Sequence, residues 1–165
     1  MPKTREQDVD AYWMRQALAA ASEARSREEI PVGACIVTLD GETLLASAGN
    51  RTRTDCDPTA HAEIIALREA ARGVGNYRLT RMVVYSTIEP CSMCAGALVQ
   101  ARVKRLVYGA RDERFGAVES QFRLCDADAS NHRIEIRSGV LEEECRDLMQ
   151  EFFRARRRKA VIGDE

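Results

Sequence analysis

The chain has very little net charge for its size. Over 165 residues, 25 lysines and arginines nearly balance 26 aspartates and glutamates, which leaves −1. This balance argues against a protein that coats nucleic acid or membrane by bulk charge. It does not exclude a local patch of positive charge, and the C-terminal run 156–159 reads Arg-Arg-Arg-Lys.

The chain also lacks a long hydrophobic run. Its first residues, Met1-Pro2-Lys3-Thr4-Arg5, contain no apolar signal core, and no segment is long enough to span a bilayer. We therefore expect a cytoplasmic protein that makes no use of a membrane. In a reducing compartment, a close pair among the six cysteines favours metal or redox chemistry over a disulfide.

Composition predicts one folded domain that spans 1–165. Hydrophobic residues make up 45% of the chain and charged residues 31%, as in ordinary globular proteins. This length is sufficient to bury a core without disulfides.

Apolar periodicity and turn residues predict that helices alternate with strands. Helices are expected at 9–24, from 59 or 60 to 73, from Pro90 to just before Arg102, and in a basic C-terminal helix at about 141–159. Strands are expected at 30–37, 43–48, 82–85, 106–108 and 134–136, with a two-residue hairpin turn at Asp40-Gly41 and helical pieces at 117–124. The pattern indicates an α/β layer fold with helices packed on a mixed sheet.

The main chemical signal is His61-Ala62-Glu63 followed by Pro90-Cys91-Ser92-Met93-Cys94. One histidine and two cysteines are zinc ligands, and three protein ligands leave the fourth position open for catalysis. If both motifs occupy first helical turns, their side chains tilt toward the helix N-terminus and converge there. The helix dipole then favours thiolates, and Glu63 is placed to transfer protons.

Two other interpretations of the cysteines stay open at this point. Cys91 and Cys94 can form a redox pair. A structural zinc site would need a fourth ligand, for which Cys56 and His132 are available. The other cysteines, Cys35, Cys125 and Cys145, are expected to be small buried hydrophobic residues.

Beyond these motifs, the sequence resembles the tRNA-specific adenosine deaminases, a family within the zinc-dependent cytidine/deoxycytidylate deaminase superfamily. The similar segments are 31–34, Asn50-Arg51, 57–63, 89–97, 108–112, 131–133 and Glu151-Phe152-Phe153-Arg154. The zinc motif alone indicates only the superfamily, whereas the flanking segments indicate the tRNA enzymes.

The resemblance implies a three-layer α/β/α cytidine-deaminase-like fold with a central five-stranded mixed sheet. It implies one Zn²⁺ per subunit, held by His61, Cys91 and Cys94, with Glu63 as the proton carrier. The implied reaction is hydrolytic deamination of adenosine to inosine at the wobble position of a tRNA anticodon loop, with arginine tRNA as the expected substrate. The family also implies a homodimer.

The resemblance further assigns a set of substrate-binding residues. Asn50 is expected to hydrogen-bond the target nucleotide. Ile30, Ile88 and Phe153 resemble apolar pocket walls, Asp112 and Arg154 resemble contacts with the RNA loop, and Ala62 belongs to the same set. The basic tail 154–159 is expected to bind phosphates of the anticodon stem.

The sequence departs from the family pattern in two places. Glu119 replaces a glycine of the family's Gly-Ala-x-Gly-Ser segment, and the loop 52–56 has no clear counterpart. Two rival functions remain: a deaminase of free nucleobases or nucleosides such as guanine or cytosine, and a non-catalytic RNA-binding subunit. The presence of Glu63 and all three ligands disfavours the second rival.

Overall fold

The computed structural model describes residues 5–162 and contains nine regular elements in the predicted order. The helices are α1 (Arg5–Ser26), α2 (Ala62–Val74), α3 (Ser92–Ala101) and α4 (Glu142–Ile162), and the strands are β1 (Gly33–Thr38), β2 (Leu44–Gly49), β3 (Met82–Ile88), β4 (Arg105–Ala110) and β5 (Glu135–Arg137). The C-terminal helix thus begins one residue later than expected and extends beyond 159. Among residues 5–162, no helix has both the length and the apolar character needed to cross a membrane.

The five strands form one mixed sheet in the order β2-β1-β3-β4-β5. Strand β1 is antiparallel to β2 and β3, whereas β3, β4 and β5 are parallel. Gly33 at the start of β1 therefore pairs with Gly49 at the end of β2, close to where β3 and β4 also end. Loops from four strands consequently meet at one edge of the sheet, which is where α/β folds place their ligands.

The sheet is covered on both faces, as the three-layer prediction requires. One core joins Leu67 of α2 and Leu98 of α3 to strand residues such as Val84. The other joins Met14 of α1 and Cys145 of α4 to the alternate residues of the same strands. This arrangement confirms the α/β/α fold with a central five-stranded mixed sheet.

The hairpin between β1 and β2 is longer than predicted. The Thr38 amide donates to the carbonyl oxygen of Thr43 at 3.0 Å, which closes a loop of four residues and not of two. The Asp40 carboxylate accepts bonds from the Thr38 hydroxyl at 2.6 Å and the Glu42 amide at 3.1 Å. Only Gly41 has a positive φ, of 75°. A two-residue type I′ turn needs positive φ at both central positions, so the Asp-Gly prediction was wrong in turn type.

The prediction of helical pieces at 117–124 was also wrong, because this segment consists of a turn at 117–120 followed by irregular backbone. The amides of Val118, Glu119 and Ser120 donate to the side chain of Glu89. These amides are therefore not available for helical hydrogen bonds. A long-range carboxylate overrides the local helical preference here.

Gly33 lies where β1 passes directly against α1. A Cβ atom on Gly33 would sit 1.9 Å from the Ala17 carbonyl oxygen and 2.6 Å from the Ala21 amide nitrogen. Both are backbone atoms of a buried helix, so neither can move aside without disturbing the packing of that helix. We predict that Gly33→Ala destabilises the fold by about 1–3 kcal/mol, as overpacked cores do, measured by chemical denaturation of the metal-loaded protein.

Gly96 provides the matched control, since a Cβ there would meet nothing within 4 Å. Gly96→Ala is expected to stabilise α3 by about 0.5–1 kcal/mol, because alanine loses less backbone entropy than glycine in a helix. Equal stability of the two variants would contradict the close approach of β1 to α1.

Candidate active site

Two helix N-termini bring the three predicted metal ligands together. His61 is the N-cap residue of α2, and Cys91 is the N-cap residue of α3. His61 Nδ1 lies 3.6 Å from Cys91 Sγ and 3.5 Å from Cys94 Sγ. All three ligand atoms lie within 4.8 Å of one another. The ligands therefore converge: Cys94 lies in the first turn of α3, as predicted, whereas His61 and Cys91 lie at the N-cap positions just before the first turns.

This donor set fits zinc. A tetrahedral ion with Zn–S bonds of about 2.3 Å and Zn–N bonds of about 2.0 Å separates nitrogen from sulfur by roughly 3.6 Å. The observed nitrogen–sulfur distances match that separation. Neither N-cap side chain makes the usual capping bond to its helix. His61 and Cys91 therefore lack the stabilising capping bond that Ser, Thr, Asn or Asp would make at these positions. Their side chains face each other instead.

The two residues considered as a fourth ligand lie outside this cluster. Cys56 is exposed, and its Sγ contacts the Arg53 carbonyl oxygen at 3.7 Å. His132 Nε2 bonds the Val103 carbonyl oxygen at 2.8 Å. Among the residues described, His61, Cys91 and Cys94 are the one group of three such ligands. The hypothesis of a structural site completed by Cys56 or His132 is therefore wrong.

Cys35, Cys125 and Cys145 are buried and unbridged, in agreement with the prediction that they pack as small hydrophobic residues. Burial raises the pKa of each of the three thiols, which keeps them protonated and inert.

Glu63 lies beside the ligand cluster in the first turn of α2. Its side chain is only 3% exposed, and burial raises its pKa above the usual range for glutamate. Oε1 lies 3.1 Å from the Ser86 hydroxyl oxygen, which also bonds the Ile88 carbonyl oxygen at 2.8 Å, and Oε2 lies 3.6 Å from Cys94 Sγ. Because His61 has extended backbone with ψ of 151°, His61 and Glu63 can face the same space although they are two residues apart.

The ligand groups polarise one another. A hydrogen bond from the Cys94 thiol, and a further bond with His61, lower the pKa of Cys91 to about 4 although burial opposes this. The bond to Cys91 also raises the pKa of His61. The bond between the two cysteines raises the pKa of Cys94, so the negative charge of the pair resides on Cys91, as the thiolate that binds a metal.

A cavity of about 750 Å³ opens above the cluster at the edge where the strands end. His61, Glu63 and Cys91 lie at its base. Further lining residues are Ile30, Val32, Asn50, Thr52, Ile88, Glu89, Ser92, Ala110, Arg111, Asp112, Glu113, Arg114, Phe115, Phe122, Arg146, Met149, Gln150 and Phe153. The cavity is thus large enough for a nucleotide and part of its neighbours.

Five of the seven predicted substrate-binding residues line this cavity: Ile30, Asn50, Ile88, Asp112 and Phe153. The other two do not. Ala62 is fully buried at the start of α2. Arg154 lies on the exposed side of α4, where its guanidinium bonds Gln150 Oε1 at 3.0 Å.

Sequence reasoning missed two kinds of residue. The first comprises residues at the cavity mouth, including Phe115 and Phe122, whose side chains are 64% and 59% exposed. The second comprises the buried carboxylates Glu29 and Glu89, which hold neighbouring loops. Surface aromatics carry no periodic signal, and the partners of both carboxylates are more than 20 residues away in sequence. Only the place of Glu89 directly before Pro90-Cys91 pointed to a role.

Comparison with known proteins agrees with this geometry. A model of the MafB19-like deaminase family matches residues 9–157. The tRNA-specific adenosine deaminase of Haemophilus influenzae is 46% identical, over 94% of this chain and 89% of that protein. The corresponding enzyme of Agrobacterium fabrum is 44% identical, over 88% and 95%. The chain belongs to the tRNA-specific adenosine deaminase family.

Solved structures of deaminases have the same fold as this chain. A structure from a study of A-to-I editing by tRNA:A34 deaminases at the wobble position is 43% identical, with a TM-score of 0.79 and coverage of 83% of this chain and 98% of that one. Guanine deaminase from Bacillus subtilis is 30% identical, with a TM-score of 0.59 and coverage of 94% and 95%. The deaminase family is zinc-dependent, in keeping with the His-Cys-Cys cluster.

We predict that the purified protein carries about one zinc ion per chain and that Cys94→Ser or His61→Ala loses it, because two remaining ligands cannot complete a tetrahedral site. Metal analysis of gently purified protein measures this without any assay of activity. Cys56→Ser is the control and should retain the metal, since Cys56 lies outside the cluster. Loss of zinc from the Cys56 variant would contradict a three-ligand site.

Proposed function

We propose that this protein catalyses hydrolytic deamination of adenosine to inosine at the wobble position of a tRNA anticodon loop. One observation carries the proposal: a single cavity combines the His-Cys-Cys cluster and a buried carboxylate at its base with arginines and exposed aromatic rings at its mouth. The base of the cavity suits deamination of a nucleobase, and the mouth suits a single-stranded nucleic acid. The tRNA-specific relatives are 46% and 44% identical to this chain, over 94% and 88% of its length.

In this proposal His61, Cys91 and Cys94 hold the zinc ion. When bound, zinc supplies an activated water, because it lowers the pKa of a coordinated water from 15.7 to about 7. Glu63 accepts a proton from the attacking water and delivers it to N1 of the adenine ring. It then takes the proton of the hydroxyl group that this attack adds to C6 and delivers it to the amino nitrogen, so that ammonia leaves as the C6–N bond breaks and the C6 carbonyl forms. The raised pKa of Glu63 suits this task, since a proton carrier works best when its pKa is near the ambient pH.

The walls of the cavity support binding of one nucleotide turned out of its loop. Asn50 is buried in the wall and its amide is of the type that reads a base edge. Ile30, Ile88 and Phe153 supply apolar surface for the flat faces of the base and for the ribose. We assign Ala62, Asp112 and Arg154 to the substrate site on the family resemblance.

The aromatic rings at the mouth favour RNA over a free base. Phe115 and Phe122 are exposed although large apolar side chains are normally buried. Exposed rings that border a substrate cavity are suited to stack on unpaired bases. Arg111, Arg114 and Arg146 line the same cavity and provide positive charge for phosphates.

The test is incubation of the zinc-loaded protein with an arginine-tRNA anticodon stem-loop and, separately, with free adenosine, cytosine and guanine. Inosine in the RNA and release of ammonia are both measured. Inosine in the stem-loop is the expected result. Ammonia from guanine or cytosine without inosine in the RNA would overturn the proposal in favour of a free-base deaminase, the activity named for the Bacillus subtilis neighbour.

Glu63→Ala is expected to retain zinc and to lose turnover by about 10²- to 10⁴-fold, the usual loss when a positioned proton carrier is removed. Single-turnover kinetics on the stem-loop measure the loss, and metal analysis confirms the site. Glu69→Ala is the control, because Glu69 is an exposed glutamate on the same helix. Full activity of the Glu63 variant would assign the proton transfer to another group.

We propose that the exposed basic residues at the end of α4 bind phosphates of the anticodon stem. Arg157→Ala should weaken RNA binding and reduce the slope of log K against log salt by about 0.7–0.9, the value for one phosphate contact. Binding is titrated at several salt concentrations, with Arg78→Ala as the control, because Arg78 is an exposed arginine that lies away from α4, in the segment before β3. An unchanged slope for the Arg157 variant would exclude the phosphate contact.

We further propose one deaminase domain over the whole chain, a homodimer and a cytoplasmic location. The helix that carries the cysteines supports the dimer, because Met93, Ala97 and Val99 of α3 keep part of their apolar surface exposed. The proposed tRNA substrate supports the cytoplasmic location.

A further inference from the structure

Two buried glutamates that take no part in the chemistry each hold one wall of the cavity. Glu29 is 0% exposed and Glu89 is 1% exposed. Burial of an ionised carboxylate is costly unless hydrogen bonds compensate for the lost water. The donors that bond these two carboxylates come from loops that line the substrate cavity. The carboxylates therefore stay hydrogen-bonded only while those loops keep their positions.

Glu29 holds the loop that follows β2. Its Oε1 accepts bonds from the Thr54 amide at 2.6 Å and the Thr54 hydroxyl at 2.8 Å, and its Oε2 accepts one from the Thr52 hydroxyl at 3.4 Å. The same Thr52 oxygen accepts a bond from the Asn50 side-chain amide at 3.3 Å. Glu29 is thus linked through Thr52 to Asn50, a residue of the cavity wall.

Glu89 holds the loop that follows β4. Its Oε1 accepts bonds from three consecutive amides, Val118 at 3.2 Å, Glu119 at 2.7 Å and Ser120 at 2.9 Å. Its Oε2 accepts bonds from the Asp112 amide at 3.1 Å and the Ser120 hydroxyl at 2.5 Å. Consecutive amides around one oxygen form an anion-binding nest, here filled by a side chain of the protein.

The segment around Asp112 is fixed closely. Asp112 Oδ1 accepts bonds from the amides of Arg114 and Phe115, both at 3.0 Å. A Cβ on Gly116 would lie 2.4 Å from the Glu89 carboxyl group, so the loop has no room to shift inward. The Phe115 ring therefore lies at the cavity mouth on a turn whose position is fixed by the hydrogen bond between the Asp112 amide and Glu89.

These two loops lie on opposite sides of the site. They follow β2 and β4, and β1 and β3 lie between those strands. Three strand spacings of about 4.8 Å separate the two loops by roughly 14 Å. We propose that Glu29 and Glu89 are positioning residues that fix the two walls of the cavity and thereby set how tightly it holds its substrate.

This inference rests on the proposed function for its substrate, and it makes a prediction that a purely structural role does not. Glu29→Gln and Glu89→Gln should each raise KM for the anticodon stem-loop by about 5- to 50-fold, as expected for loss of bonds to a charged acceptor. Zinc content should be unchanged and kcat should stay within about twofold, because uniform binding is lost and not transition-state binding. The double variant should show the product of the two effects, since the loops share no partner.

Asp10→Asn is the matched control. Asp10 is also a fully buried carboxylate, but it accepts bonds from Tyr85 and Arg105 and does not line the cavity. This variant removes the negative charge that faces the partly buried guanidinium groups of Arg105 and Arg137, so its melting temperature should fall. Its KM should remain within about twofold of that of the wild type if only bonds to the walls affect binding.

Thr54→Val and Ser120→Ala test the same hydrogen bonds in case the glutamate variants fail to fold. Each removes one hydroxyl donor and leaves the carboxylate in place. Each should raise KM by about 2- to 10-fold. The inference is overturned if Asp10→Asn raises KM as much as the glutamate variants at an equal loss of melting temperature. It is also overturned if the glutamate variants lose zinc or kcat while KM stays constant.

Failure of this inference differs from failure of the proposed function. A wild-type protein that forms no inosine in RNA rejects the function. A wild-type protein that edits RNA, with glutamate variants whose KM is unchanged, rejects only the positioning role. If a free base proves to be the substrate, the same KM ratios measured on that base decide the role of the two glutamates.

Discussion

The structure depends on the meeting of two helix N-termini at one edge of the sheet. The extended residues His61 and Cys91 stand in the N-cap positions of α2 and α3, so the ring and the thiol leave their helices at the same place. Mid-helix positions would send His61 and Glu63 to different faces. Helix α3 begins shortly after β3, and α2 begins after the loop that follows β2, so both helices start at the edge of the sheet where these two strands end.

The sequence predicted most of what local pattern controls. The order of the nine elements followed from apolar periodicity, and the ligand triad followed from the chemistry of His61, Cys91 and Cys94. The Asp40-Gly41 turn type and the segment 117–124 were predicted wrongly. In both places a carboxylate binds backbone amides and replaces the expected local bonding. Contacts of this kind, above all the distant ones, leave no periodic trace in a sequence.

Glu119, at the position where the family resemblance led us to expect glycine, illustrates the same limit. Glu119 accepts a hydrogen bond from the buried Tyr108 hydroxyl and lies 3.9 Å from the Arg111 guanidinium, while its own amide donates to Glu89. Its side chain thus ties the segment 116–120 to β4 and to the residue that follows β4. The Glu119 side chain adds contacts to a loop that Glu89 already holds, and these contacts are visible only in the folded structure.

The site therefore divides its tasks between elements of different kinds. The ligands and Glu63 are held by helix ends and by Ser86 within the sheet, which share the stability of the core. Two of the walls belong to the loops after β2 and β4, which on their own would be mobile. Burying Glu29 and Glu89 beneath those loops couples the walls to the core, because opening either loop would leave an ionised carboxylate buried without partners. A cavity built this way keeps its shape before the substrate arrives, so less binding free energy is lost in ordering it.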